Sequence, residues 1–107
     1  MKKKGRIEMA YTSFEDLLTK RILVLDGAMG TMIQQANLTA TDFGGEEFEG
    51  CNEYLSITRP ELISSIHDEY LASGADIIET NTFGATDLVL DEYDLGHLAE
   101  KLNYTSA

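Results

Sequence analysis

Three short segments of the 107-residue chain carry side chains that could do chemistry. The first is Asp26-Gly27-Ala28-Met29-Gly30-Thr31. A carboxylate there can hold an ammonium group, accept a proton or ligate a metal, and the glycines let a ligand approach the backbone closely. Asp26 could equally cap a helix starting near Met29. The segment lacks the Gly-x-Gly-x-x-Gly order and the Gly-Lys-Ser/Thr of nucleotide-binding loops. The second segment is Glu79-Thr80-Asn81-Thr82-Phe83. Four polar side chains in a row beside an apolar run are costly unless they are solvated or hydrogen-bonded. An ordinary polar loop remains the plain alternative. The third is Cys51-Asn52, where a lone cysteine reads first as a small apolar residue. His67 and His97 share no metal-ligand spacing with each other or with Cys51.

The elements that must position these segments follow from the apolar pattern. Ser13 offers a helix cap ahead of the acidic Glu15 and Asp16, and a short helix to about Lys20 fits. Ile22-Leu23-Val24-Leu25 is an unbroken apolar run, as in a strand buried on both faces. A short helix through Met32, Ile33 and Ala36 follows. Residues 37–58 have no clear period, and loops of that length tend to be functional. Thr58-Arg59-Pro60-Glu61 combines a capping-box pattern with an early proline. The helix it opens carries Leu62, Ile63, Ile66, Tyr70 and Leu71 on one face and ends at Gly74. Ala75-Asp76-Ile77-Ile78 reads as a second short strand. A last helical stretch runs from 86 to 102, interrupted near Gly96.

The order is strand, polar tip, helix, strand, polar tip, helix. Two parallel strands joined by a helical crossover make a βαβ unit. Such α/β folds place ligand chemistry at the C-terminal ends of their strands.

Composition narrows the classes. The net charge of -11 disfavours nucleic acid and anionic membranes as partners. The basic cluster Lys2, Lys3, Lys4 and Arg6 precedes no apolar run of the roughly 7–15 residues that a secretory signal needs. Residues 1–12 read as a flexible tail. One cysteine makes no internal disulfide, so a cytoplasmic, reduced protein is expected.

Taken together, Arg21–Gln34, Gly50-Cys51-Asn52-Glu53-Tyr54-Leu55, Thr58–Ile63 and Ile66–Thr86 resemble, in order, the start of the homocysteine S-methyltransferase family. The wording of Met29–Gln34 and Ile77–Phe83 is most similar to the homocysteine-binding module of the cobalamin-dependent methionine synthase branch. Bifunctional enzymes joining this module to a methylenetetrahydrofolate reductase are similar too. The first segment also resembles the Asp-x-Asp-Gly-Thr loop of haloacid-dehalogenase-like phosphatases, but Ala28 stands where the second aspartate is needed. A non-catalytic α/β binding module is a further alternative.

The resemblance implies an α/β fold, a (β/α)8 TIM barrel with zinc and homocysteine at its C-terminal face. A full barrel takes about 250 residues. Residues 13–107 would then be its N-terminal part, a truncated piece holding the first two β/α units and inactive alone. By the same resemblance Asp26 and Gly27 hold the amino-acid end of homocysteine. Thr80 and Phe83 line the same pocket, and Asn52 approaches it. The zinc cysteines would lie beyond the C-terminus, and cobalamin and methyltetrahydrofolate would act through other modules. Zinc ligation would turn the homocysteine thiol, ordinarily a few per cent ionised at neutral pH, into the thiolate that takes the methyl group to form methionine.

Overall fold

The computed structural model describes residues 13–107. The tail expected over residues 1–12 lies outside them. The first helix, α1 (Phe14–Lys20), begins as anticipated, with the Ser13 Oγ accepting the Asp16 N–H at 3.1 Å. The chain then runs without helix to Met29 and enters α2 (Gly30–Gln35). The long segment expected to be irregular is organised by two 3-10 turns, Glu46–Phe48 and Asn52–Tyr54, leading directly into α3 (Leu55–Thr58).

The longest helix, α4 (Pro60–Ala72), starts on its proline and stops at Gly74. Gly74 takes a φ of 112°, which a side chain resists, and so lets the helix close its last carbonyls. Its N–H bonds to the Leu71 carbonyl, and the Ala75 N–H reaches back to the Tyr70 carbonyl at 3.0 Å, a Schellman ending. The Thr58 capping box does not form. Arg59 is the N-cap without a side-chain bond, and the buried Thr58 hydroxyl has no partner among the described residues. Arg59 instead pairs with Glu61 and, at 2.6 Å, with Asp42 in the long segment. The last stretch divides into α5 (Asp87–Leu90), capped by Thr86, and α6 (Ala99–Ser106). Between them Asp94 adopts a left-handed φ of 60°.

The expected pair of β/α units, and with it the barrel assignment, is corrected here. Among the described residues 57% are helical and no strand or sheet is formed. Where two strands were expected, a single parallel bridge joins Leu25 to Ile77. Carboxylates stop the ladder at both ends. The Val24 N–H donates to the Asp76 carboxylate at 2.9 Å, and the Glu79 N–H donates to the Asp26 carboxylate at 3.0 Å. Side-chain acceptors of this kind compete with the backbone pairing that would extend a strand. The run 22–25 is not buried on both faces either. Ile22 is 88% exposed, and Val24 and Leu25 are about half exposed.

The core lies among the helices. Ile33, Phe43, Leu55, Ile63 and Ile66 form one buried cluster, and Cys51, Leu90, Leu95 and Leu102 form another. Phe48 packs against both and meets Tyr54 edge to face, with ring centroids 5.2 Å apart. Among the described residues no helix is long and apolar enough to cross a membrane.

The bridge is held from outside by an ion pair. Arg21 donates two hydrogen bonds to Asp76, at 2.6 and 2.9 Å. The Arg21 guanidinium, and then the Val24 N–H, hold the Asp76 carboxyl below the ordinary carboxylate range. A pKa depressed on folding contributes stability that is complete above the unfolded value, near 3.9, and disappears as the pH falls through the folded one. Asp76→Asn is therefore expected to lower the melting temperature by a constant amount above about pH 5. Below about pH 4 that difference should shrink. Thermal melts of both proteins from pH 2 to 7 check this, and a difference independent of pH would contradict it.

Candidate functional site

The single bridge brings the two polar tips together. The Asp26 N–H donates to the Ile77 carbonyl at 2.9 Å, so the chain leaves the bridge with Gly27 on one side and Glu79 on the other. Asp26 is not a helix cap: α2 starts at Gly30 with Met29 as an N-cap that makes no side-chain bond. Its carboxylate ties the two tips by accepting the Glu79 N–H. From behind, α4 supports the first tip, as the Tyr70 hydroxyl donates to the Ala28 carbonyl at 2.6 Å. A Cβ on Gly27 would come 3.2 Å from that hydroxyl, so the close approach favours glycine.

Between the tips and the turn at 52–54 lies a cleft of about 450 Å³. Gly27, Asn52, Thr80 and Phe83, four of the five residues singled out from the sequence, line it. The fifth, Asp26, is half-buried next to Gly27 in the chain and is not itself part of the lining. The carboxylates on the wall belong to Glu53 and Glu79. The Thr80 and Thr82 hydroxyls bond each other at 2.7 Å, and Phe83 stands fully exposed on the rim. No arginine or lysine is among the lining residues. Chemically the cleft suits a small solute with a positive end, a hydrogen-bonding end and an apolar portion that can lie against Met29 or Phe83.

Among the lining residues given no individual role from the sequence, Asn81 and Glu53 hold the cleft together. Asn81 is 6% exposed, and its amide donates to the Asn52 carbonyl at 2.8 Å. It is the member of the second polar tip that burial forces into a hydrogen bond, so the cost of that polar run was the available signal. Glu53 accepts the Gly84 N–H at 2.9 Å. Its only sequence signal was adjacency to Asn52.

The described residues do not by themselves provide a donor set for zinc. Among the described residues no group of three or more His, Cys, Asp or Glu side chains could hold a metal ion. Cys51 is 1% exposed within the second core cluster, and burial pushes its thiol pKa up, away from the thiolate a metal needs. His67 is half-buried with its Nδ1 unpartnered among the described residues, and His97 is exposed.

Comparison with known protein families gives an independent result. A sequence model described as homocysteine S-methyltransferase matches residues 23–107, a stretch that includes both tips, the 52–54 turn and every cleft residue named above. On that match, which takes in most of the sequence, the chain belongs to the homocysteine S-methyltransferase family.

Proposed function

We propose that this chain supplies part of the homocysteine grip of a methionine synthase-like S-methyltransferase, whose product is methionine. The observation that carries this reading is the convergence of three segments distant in sequence. Gly27, Asn52, Thr80 and Phe83 come to one small cleft inside the family match. An α-amino acid bearing a thiol has the three parts the cleft is suited to: an ammonium for carboxylates, a carboxylate for hydroxyl and amide donors, and an apolar methylene arm. In this reading Asp26, with Glu79 nearby, meets the ammonium, while Thr80 and Asn52 orient the amino-acid end. Phe83 covers the arm and excludes water from it.

Activation of the thiol is assigned to none of the described residues, because their side chains do not form a zinc site. A cobalamin-bound methyl group, recharged from methyltetrahydrofolate by other modules, is the proposed donor. It is supported by the wording of Met29–Gln34 and Ile77–Phe83. A module that binds homocysteine without transferring a methyl group is the second reading, since every role assigned to these residues is a binding role. Both readings require homocysteine to occupy this cleft, and residue-by-residue mapping of its binding footprint tests that requirement.

A further inference from the structure

The 50–54 and 79–84 segments are joined at two points, and the bonds run between backbone and side chain in opposite senses. Asn81 sends its amide to the Asn52 carbonyl, and Glu53 sends its carboxylate to the Gly84 N–H. Thr82 and Phe83 are thus slung between two anchors that both rest on the 52–53 turn. This matters because the Phe83 side chain is fully exposed and has no packing of its own to hold it. Its position on the cleft rim is set by the backbone on either side. The Ala85 N–H closes a turn onto the Thr82 carbonyl at 3.1 Å, the Ala85 carbonyl accepts the Asn103 amide at 2.8 Å and Thr86 caps α5, so Glu53 is what ties this turn to the 52–53 wall at Gly84. Gly84 is buried, and a Cβ there would lie 3.0 Å from the Glu53 carboxylate, so glycine is what permits the approach. The Cys51 thiol, 3.9 Å from the other Glu53 oxygen, faces the same carboxylate.

We propose that Glu53 is a positioning residue: its carboxylate clasps the Gly84 N–H and thereby holds Phe83 on the cleft rim, and what matters is its reach rather than its charge. The clasp itself is independent of ligand, whereas its effect on affinity rests on the reading that the cleft takes homocysteine. Glu53→Gln keeps an acceptor oxygen at the same distance and removes the charge. Glu53→Asp keeps the charge and falls short by one methylene. The two variants therefore separate a clasp from a direct contact with the ligand's ammonium.

The experiment titrates L-homocysteine into the parent chain and both variants by NMR, and measures amide hydrogen exchange at Gly84 in each without ligand. The clasp requires Glu53→Gln to bind within about threefold of the parent. Glu53→Asp should bind about tenfold or more weakly, the loss of roughly one hydrogen bond to a charged group. Gly84 exchange should quicken about tenfold in Glu53→Asp only, because local opening controls it. The reverse order, with Gln weak and Asp near the parent, would make Glu53 a direct ammonium contact and overturn the proposal. Equal Gly84 protection in all three proteins would also overturn it. If the parent shows no homocysteine binding, the functional reading fails, while the exchange measurement still decides the clasp.

Discussion

Leu55→Ala is expected to be among the most destabilising single truncations in the chain, costing about 2–5 kcal/mol. Leu55 has no exposed surface and sits in the first core cluster with Ile33, Phe43, Ile63 and Ile66. Truncation removes its contacts with that cluster and leaves a cavity that short, tightly connected helices close only in part. Small domains are stable by about 5–15 kcal/mol, so the loss is a large share of the total. For a change of about 3 kcal/mol the melting temperature of a domain this size should fall by roughly 12–24 °C. Leu88→Ala is the matched control, since Leu88 is 80% exposed; its effect should stay within about 0.5 kcal/mol. Thermal and urea unfolding of the three proteins measures both. Equal effects at the two positions would mean that the Leu55 cluster is not the core. The consequence reaches the site as well, because α3 continues directly from the Asn52–Tyr54 turn that forms one cleft wall.

The second large effect is expected at Asp26. Asp26→Asn preserves size and an acceptor oxygen, so the bond from the Glu79 N–H can persist while the charge is lost. If Asp26 holds the substrate ammonium, losing that charge-assisted hydrogen bond should cost about 1.5–3 kcal/mol. That is roughly 10- to 150-fold in homocysteine affinity. The position makes the outcome informative, since Asp26 is outside the lining while Glu53 and Glu79 are part of it. Glu79→Gln belongs in the same titration series. If Asp26→Asn binds like the parent and Glu79→Gln is weakened, the ammonium meets Glu79, and Asp26 serves only to end the backbone ladder.

What the amino-acid order revealed about the fold depended on how local the controlling physics was. Ser13 as a cap, Pro60 at the first turn of α4 and Gly74 at its end are decided within a few residues, and all three act as their types suggest. The strands were misread because an apolar run reports a preference for burial and not the presence of partners. Ile22–Leu25 lies largely exposed, and its pairing with 75–78 ends where Asp76 and Asp26 take the N–H groups that a longer ladder would use. Both carboxylates were visible in the sequence, but which N–H groups they would accept is a long-range fact. The Thr58 capping box failed for a similar reason: Arg59 is drawn to Asp42 and Glu61, and the cap geometry goes with it.

Four of the five candidate residues fall in one cleft. Gly27, Asn52, Thr80 and Phe83 were assigned through family resemblance, and they converge because one bridge and two tip-to-turn hydrogen bonds suffice to gather them. Asn81 and Glu53 escaped because their roles are to hold backbone, and nothing in residue type distinguishes a carboxylate that holds a loop from one that faces solvent.

The central claim is that homocysteine occupies the cleft between the two tips. Backbone amide shift mapping of the isotopically labelled chain with L-homocysteine tests it most directly, with 4-mercaptobutyrate as the analogue lacking the ammonium group. Saturable shifts concentrated at Gly27, Asn52, Thr80 and Phe83, and much weaker for the desamino analogue, are the expected result. The competing location is the hollow of about 470 Å³ lined by Ile33, Leu38, Phe43 and Gly50. Shifts centred there, or equal responses to the two compounds, would contradict the claim.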